Sequence, residues 1–202
     1  MQRYRASPNL LLGDGIARYY GKIMSAETAS RHFQALLLGL PWQNDEAVMF
    51  GRRMITARKV AWYGDRPFSY TYSRTTKEAL PWNSELLALK RLAERITGSQ
   101  FNSCLANLYH TGSEGVAWHS DDETTLAANA AIASLTFGAE RLFAFKHKRT
   151  KETQSLILEH GSLLTMEGST QTHWLHRLPP RKKVTGARIN LTFRSMLQED
   201  AS

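Results

Sequence analysis

The sequence predicts a mainly β chain with flanking helices, an α+β composition built as a double-stranded β-helix (jelly roll) behind N-terminal helices and hairpins. Three observations predict it. From Phe101 onward, apolar and β-branched residues recur in eight short runs, at 101–109, 116–120, 131–137, 142–147, 155–158, 162–166, 173–177 and 187–196. Gly112, Gly115, Gly138, Gly161, Gly168, Pro179-Pro180 and Gly186 separate those runs, and short strands at this spacing suit a two-sheet roll. Before Phe101, only two stretches carry the apolar spacing of a helix.

The first of these helices starts at Ser25, whose hydroxyl can cap it, and its apolar face is Ala29, Phe33, Leu36, Leu37 and Leu40. Gly39 and Pro41 stop it. Residues 46 to 75 are rich in β-formers and aromatics punctuated by Gly51 and Gly64-Asp65, the pattern of hairpins. The second helix follows Pro81 and Ser84, buries Leu86, Leu89, Leu92, Ala93 and Ile96, and ends at Gly98. The chain is expected to form one domain over 1–202: about 1–98 as helices and hairpins, about 99–197 as the roll, and 198–202 as a tail.

A length of 202 residues with 42% hydrophobic content is enough for a sizeable core. The longest apolar run, Ala35 to Leu40, is far shorter than a membrane helix. No signal core follows Met1 to Arg5, so export is not expected. The single cysteine, Cys104, agrees with a reducing compartment: the cytoplasm, beside the nucleoid in a bacterium, or the nucleus in a eukaryote. A net charge of +8 favours an anionic partner. Its main contributors are Arg52-Arg53, Arg58-Lys59, Lys146 to Lys151 and Arg181-Lys182-Lys183.

In Arg188-Ile189-Asn190-Leu191-Thr192-Phe193-Arg194, strand alternation puts Arg188, Asn190, Thr192 and Arg194 on one face and the three apolar residues on the other. Two fixed positive charges beside a core strand are spaced to grip an anion. His119-Ser120-Asp121 offers two metal ligands, and His173 or His176 could supply a third. Two imidazoles and a carboxylate leave open the positions that a non-haem Fe(II) oxygenase needs. A bidentate 2-oxo acid there requires a buried cation for its distal carboxylate, which arginine's planar fork suits. Asn107 and Tyr109 add donors on one face of the 101–109 run. A His-x-Asp pair alone is weak evidence, so the surrounding motifs decide.

Those motifs resemble the AlkB family of Fe(II)/2-oxoglutarate-dependent nucleic-acid dealkylases, nearest to its duplex-DNA-preferring branch. The resemblance runs from about Phe50 to Met196 and rests on Asn107-Leu108-Tyr109, His119 to Glu123, Ala133 to Gly138, His160 to Leu164, Thr172 to His176 and Arg188 to Arg194. It implies His119, Asp121 and His176 as the catalytic iron ligands, with His173 structural. It implies Asn107, Tyr109, Arg188, Asn190 and Arg194 as the 2-oxoglutarate set, with Arg188 on the distal carboxylate. Asp122 and Glu123 would accept from a base's exocyclic amino group.

Further expectations follow from the resemblance. The N-terminal helices and hairpins would form a nucleotide-recognition lid. A flipped base would stack between Tyr72 and His119, with Tyr70 at the pocket edge. Tyr72 departs from the duplex-preferring relatives, which carry Phe there. Phe50, at a predicted hairpin tip, would wedge into the gap left in the duplex. Arg52, Arg53, Arg58, Arg181, Lys182 and Lys183 would hold phosphates. The implied activity is oxidative demethylation of 1-methyladenine and 3-methylcytosine in alkylated DNA, with Fe(II), 2-oxoglutarate and O2 consumed and formaldehyde, succinate and CO2 released. RNA or single-stranded DNA is the alternative substrate, and a non-catalytic nucleic-acid-binding module the alternative from another class. The protein is expected to act as a monomer, away from membranes.

Overall fold

A computed structural model describes residues 4–49, 52–72 and 75–197, with only the backbone described for 46–49, 52–54, 70–72 and 75–77. In chain order the elements are β1 (Ile16–Lys22), α1 (Ala26–Gly39), β2 (Gln43–Met49), β3 (Arg52–Gly64), β4 (Ser69–Tyr72), β5 (Thr75–Glu78), β6 (Leu80–Pro81) and α2 (Ser84–Thr97). There follow β7 (Ser103–Tyr109), β8 (Val116–His119), β9 (Ile132–Gly138), β10 (Arg141–His147), β11 (Thr153–Leu158), β12 (Ser162–Glu167), α3 (Thr170–His173), β13 (Trp174–Leu178) and β14 (Arg188–Arg194). Phe50 and the 198–202 tail lie outside the described residues. No helix among the described residues is long and apolar enough to cross a membrane.

Both predicted helices form as their sequences dictate. The Ser25 side chain accepts the Thr28 N–H at the start of α1. The Asn83 side chain accepts the Leu86 N–H at the start of α2, and Gly98 ends that helix at φ 74°. Ala29 and Leu36 of α1 join Leu86, Leu89 and Ala93 of α2 in one buried cluster.

The eight predicted strands of the roll all form, β7 to β14, and fold into two sheets. The larger runs β1-β12-β9-β14-β7-β3-β2, with β6 beside β3; the smaller runs β11-β10-β13-β8. A separate two-stranded ribbon pairs β4 with β5. Two sheets of this order make the jelly roll. Three elements lie outside the sequence expectations: β1, the two-residue β6 and α3. β1 lines the edge of the larger sheet against β12, and the one-turn α3 takes His173, the first residue of the expected 173–177 strand, as its last. The hairpin β2–β3 is continuous with the roll, because Lys59–Gly64 pairs with Ser103–Leu108.

The central strand β14 decides where the site sits. It lies antiparallel between β7 and β9. Ile189, Leu191 and Phe193 point into the helix-covered cluster with no exposed surface. Its other face carries Arg188, Asn190 and Thr192, also buried, between the two sheets. A second apolar cluster, including Phe143, Phe145, Leu164, Met166 and Trp174, fills the remaining space on that side. The helices therefore cover the apolar back of the larger sheet, which frees its front for polar chemistry.

Candidate metal centre and the adjoining pocket

Strands β8 and β13 pair in the smaller sheet with His119 opposite His176. β8 ends at His119, and Asp121, two residues on, lies at the same point. The ligand atoms of His119, Asp121 and His176 all lie within 4.8 Å of one another. Asp121 Oδ1 is 3.7 Å from His119 Nε2 and 3.9 Å from His176 Nε2. His173 ends α3, outside the β13 register, so His176 is the histidine brought to this cluster.

Neighbours hold each ligand in orientation. His119 Nδ1–H donates to the Ala117 carbonyl at 2.9 Å, which leaves the Nε2 lone pair free. Arg194 lies 3.0 Å from Asp121 Oδ2, so Oδ1 is the oxygen turned to the histidines. The Asp121 N–H donates to Gln171 Oε1 at 2.9 Å. Gln171 was not singled out from sequence, because nothing local marks a partner 50 positions away. Phe143 stacks on His176 at 5.5 Å.

Electrostatics prepare the cluster to bind a cation. Burial alone would raise the Asp121 carboxyl pKa, yet the Arg194 guanidinium, His176 and His119 together hold it below the usual carboxylate range. Burial pushes His176 down to about 4, so it is a neutral ligand at pH 7. Below pH 6.5 the unfolded chain then binds a proton that the folded metal-free protein refuses. Metal-free protein is therefore expected to gain stability as pH rises from about 4 to 6.5, on the order of 3 kcal/mol. Thermal melts across that window check this: His176→Gln should flatten the profile, and an unchanged slope would contradict it.

The donor set fits ferrous iron. Two neutral imidazoles and one ionised carboxylate converge, and their open side faces a pocket. The only thiol, Cys104, is buried in the helix-side cluster on the opposite face of β7 and cannot join a zinc-type set.

The pocket wall beside the cluster holds a buried cation. Arg188 is 2% exposed. Its Nη2 donates to Thr136 Oγ1 at 3.0 Å and Asn190 Oδ1 at 2.7 Å, and its guanidinium lies 5.4 Å from the Tyr109 ring centre. Asn190 Oδ1 also accepts the Ser134 and Thr136 hydroxyls, which fixes the amide. Arg188 Nε has no partner among the described residues, and no acidic side chain there pairs with this guanidinium. Burial lowers its pKa to about 10, so it stays charged at neutral pH. A buried guanidinium without an anion is costly, and a carboxylate entering the pocket would relieve that cost. Strand register sets Tyr109 opposite Arg188 and Asn107 opposite Asn190, so the four converge. Arg141, also missed from sequence, is 1% exposed; its guanidinium donates to the Glu114 and Pro179 carbonyls and ties down the loops beside this wall.

Other expected site residues fall in different places. Glu123 lines the pocket 3.8 Å from Arg194. Asp122 is exposed, accepts the Ser120 hydroxyl at 3.0 Å and lies 3.6 Å from Lys148. Arg181, Lys182 and Lys183 form an exposed loop pinned by backbone bonds between Arg181, Val184 and Gly112. A Cβ at Gly112 would lie 2.1 Å from the Arg181 carbonyl oxygen, so only glycine lets that loop seat. The Tyr70 and Tyr72 backbones belong to β4, and those of Arg52 and Arg53 to β3; their side chains lie outside the description, as does all of Phe50.

Arg58, expected as a phosphate contact, lies in the pocket wall and not on an exposed loop. Its guanidinium is ion-paired with Asp45 and bonded to Asn107. The charge cluster Arg58-Lys59 suggested the surface; strand alternation on β3 sends the two side chains to opposite faces.

A second His/Asp cluster joins Asp14, His147 and His173. His147 Nδ1 accepts the Thr150 N–H at 3.0 Å, so the neutral ring carries its proton on Nε2, which faces Asp14 at 3.5 Å. Both nitrogens are thus engaged, and the ring has no lone pair for a metal. The cluster ties the N-terminal segment to the start of β13, as does the bond from Trp174 Nε1–H to the Asp14 carbonyl.

Comparison with known proteins agrees with this geometry. Residues 16–194 match the family described as the 2OG-Fe(II) oxygenase superfamily. The chain is 42% identical over 174 residues to the Bos taurus "Alpha-ketoglutarate-dependent dioxygenase alkB homolog 3", covering 81% of this chain and 60% of that protein. It is 38% identical over 194 residues to the Homo sapiens protein of the same name, covering 90% and 67%. It is 43% identical over 157 residues to the Homo sapiens "DNA oxidative demethylase ALKBH2", covering 74% and 60%. The chain therefore spans about 60 to 67% of the length of these relatives. The solved structure titled "The structure of OsALKBH1" shares the fold at a TM-score of 0.56 and 17% identity, covering 84% of this chain and 91% of that one.

Proposed function

Because the chain belongs to the 2OG-Fe(II) oxygenase superfamily and, within it, to the AlkB family of nucleic-acid dealkylases, we propose that it repairs DNA by direct reversal, removing N-methyl groups from alkylated bases. One observation carries the reading: a buried, charged Arg188 with no acidic partner among the described residues lines the same pocket as the His119–Asp121–His176 cluster. A metal-binding triad alone serves many chemistries. Beside an unpaired buried guanidinium, it suits a metal-chelating 2-oxo acid whose far end is a carboxylate.

His119, Asp121 and His176 would hold Fe(II), and Arg188 would take the distal carboxylate of 2-oxoglutarate through a two-pronged charge-assisted contact. Bound there, iron with 2-oxoglutarate and O2 supplies the oxidising power that converts a base N-methyl group to hydroxymethyl. The hydroxymethyl group then leaves as formaldehyde and the base is restored. Asn107 and Tyr109 orient the co-substrate from the neighbouring strand. Asn190 keeps the Arg188 fork in place, while Arg194 keeps Asp121 ionised and aimed. His119, 40% exposed in its side chain, stands at the mouth, where a base can lie against it. Glu123 can accept from the exocyclic amino group of adenine or cytosine and offset the positive charge that N-methylation adds.

A base inside a duplex must be flipped to reach this pocket. Tyr72 would stack on it with Tyr70 at the pocket edge, and a cationic base gains on the order of 1 kcal/mol from such a ring. Phe50 would fill the gap left behind. The exposed Arg181-Lys182-Lys183 loop would hold phosphates. Replacing all three by alanine is expected to reduce the magnitude of the log–log salt slope of duplex binding by about 3, with 2-oxoglutarate affinity unchanged; an unaltered slope would place the loop off the DNA.

The deciding experiment scores methyl loss and succinate release by mass spectrometry on 1-methyladenine, 3-methylcytosine and etheno-modified oligonucleotides, single- and double-stranded, in DNA and RNA. Turnover on methylated duplex DNA is expected. Turnover confined to RNA or single strands would overturn the duplex assignment, and no turnover on any substrate would revive a non-catalytic binding role.

A further inference from the structure

We infer that Arg58 is a positioning residue that orients the Asn107 amide and so ties the β2–β3 hairpin to the co-substrate slot; this rests on the reading of Asn107 as a 2-oxoglutarate contact. Arg58 is the first β3 residue beyond the segment paired with β7. Its side chain is 18% exposed, its Nη1 donates to Asn107 Oδ1 at 2.9 Å, and its Nη2 pairs with Asp45 on β2.

The backbone is built to aim it there. The β2–β3 register breaks between Asn44 and Glu46, where their partners jump from Lys59 to Ile55. Bulges re-aim side chains, commonly beside active sites. The Thr56 hydroxyl closes this one, lying 3.1 Å from the Asp45 carbonyl oxygen and 2.9 Å from the Arg58 carbonyl oxygen.

The chemistry of the contact settles which way Asn107 faces. A guanidinium has donors only, so the atom it meets must be the amide oxygen. The Asn107 NH2 is then turned away from Arg58 and free to donate to a carboxylate in the pocket that both residues line. Without Arg58, the amide can flip and present an oxygen to an anionic ligand. The fork also spans two partners on different strands, Asp45 on the hairpin and Asn107 on the roll. Lysine, a compact ammonium without the planar fork, does not reproduce that two-strand geometry.

The test compares wild type, Arg58→Met and Arg58→Lys. The first readout is 2-oxoglutarate binding to Mn(II)-loaded protein without DNA, by intrinsic fluorescence. The second is the salt dependence of duplex binding. Both variants are expected to bind 2-oxoglutarate about tenfold more weakly, the scale on which partners of a ligand-holding residue act. In an Asn107→Ala background, Arg58→Met should cause no further loss, since the two act as one unit. The salt slope should be unchanged in both variants. If Arg58→Met lowers the slope by about 1 and leaves 2-oxoglutarate affinity intact, Arg58 is a phosphate contact and the inference is overturned. Full 2-oxoglutarate affinity in Arg58→Lys overturns the spanning fork. Should Arg58→Met not fold, Arg58→Lys carries both readouts. If wild-type Mn(II) protein binds no 2-oxoglutarate, the proposed function fails at its root, an outcome distinct from a failure of the Arg58 role alone.

Discussion

Asp121→Ala is expected to cut demethylation of 1-methyladenine DNA by roughly a thousandfold or more, while duplex affinity stays within about threefold. Asp121 is the one carboxylate of the triad, and it faces both histidines through the same oxygen. Its removal takes away the only anionic ligand and leaves two neutral imidazoles to hold a dication. Arg194, 15% exposed in its side chain, would also lose its 3.0 Å partner and, among the described residues, keep Glu123 at 3.8 Å as its acidic neighbour. Some destabilisation is therefore expected, since breaking a largely buried pair leaves an uncompensated charge. Asp121→Asn preserves the shape and separates the two effects: it should keep most of the stability and none of the turnover. Formaldehyde and succinate release measure the first effect, and thermal melts the second. Turnover that survives would remove Asp121 from the metal site; loss of duplex binding with intact stability would place it on the DNA.

Arg188→Met is expected to raise the 2-oxoglutarate requirement about a hundredfold, in line with loss of a buried two-pronged contact to a charged group. Its effect on folding should run the other way. Arg188 is buried with no acidic partner among the described residues, so an apolar side chain of similar length removes a desolvation cost. Metal-free variant should melt at or above the wild-type temperature, yet gain less from added 2-oxoglutarate. An unchanged 2-oxoglutarate requirement would contradict the clamp. A collapse in stability would mean that Arg188 is structural cement instead.

What could be seen in the sequence follows physical locality. The eight strands from β7 to β14 were visible because each is a short run bounded by its own turn residues, and all end within two residues of the expected positions. The division of β14 into a core face and a cationic face was legible from alternation alone. The caps of α1 and α2 were written in neighbouring residues. β1 was not visible: Ile-Ala-Arg-Tyr-Tyr-Gly-Lys alternates weakly, and its strand partner β12 lies far along the chain. Local pattern alone leaves His173 and His176 open and the motif resemblance picks His176; the physical reason is the point where α3 gives way to β13, a boundary set by tertiary contacts such as Thr170 Oγ1 with Ile16. The setting of Arg58 is hidden in the sequence for a related reason. Two adjacent cations look like surface charge, and only the β3–β7 register, with Val60 opposite Asn107, shows which of them lies beside the slot.

The central claim, that three ligands and a guanidinium form one site for a metal and a 2-oxo acid, is tested most directly by calorimetric titration of Mn(II) and 2-oxoglutarate into metal-free protein. One metal per chain is expected in the wild type, none in Asp121→Ala, and 2-oxoglutarate binding that depends on the metal and is weakened about a hundredfold in Arg188→Met. Equal metal uptake by Asp121→Ala, or 2-oxoglutarate binding indifferent to both metal and Arg188, would contradict the account.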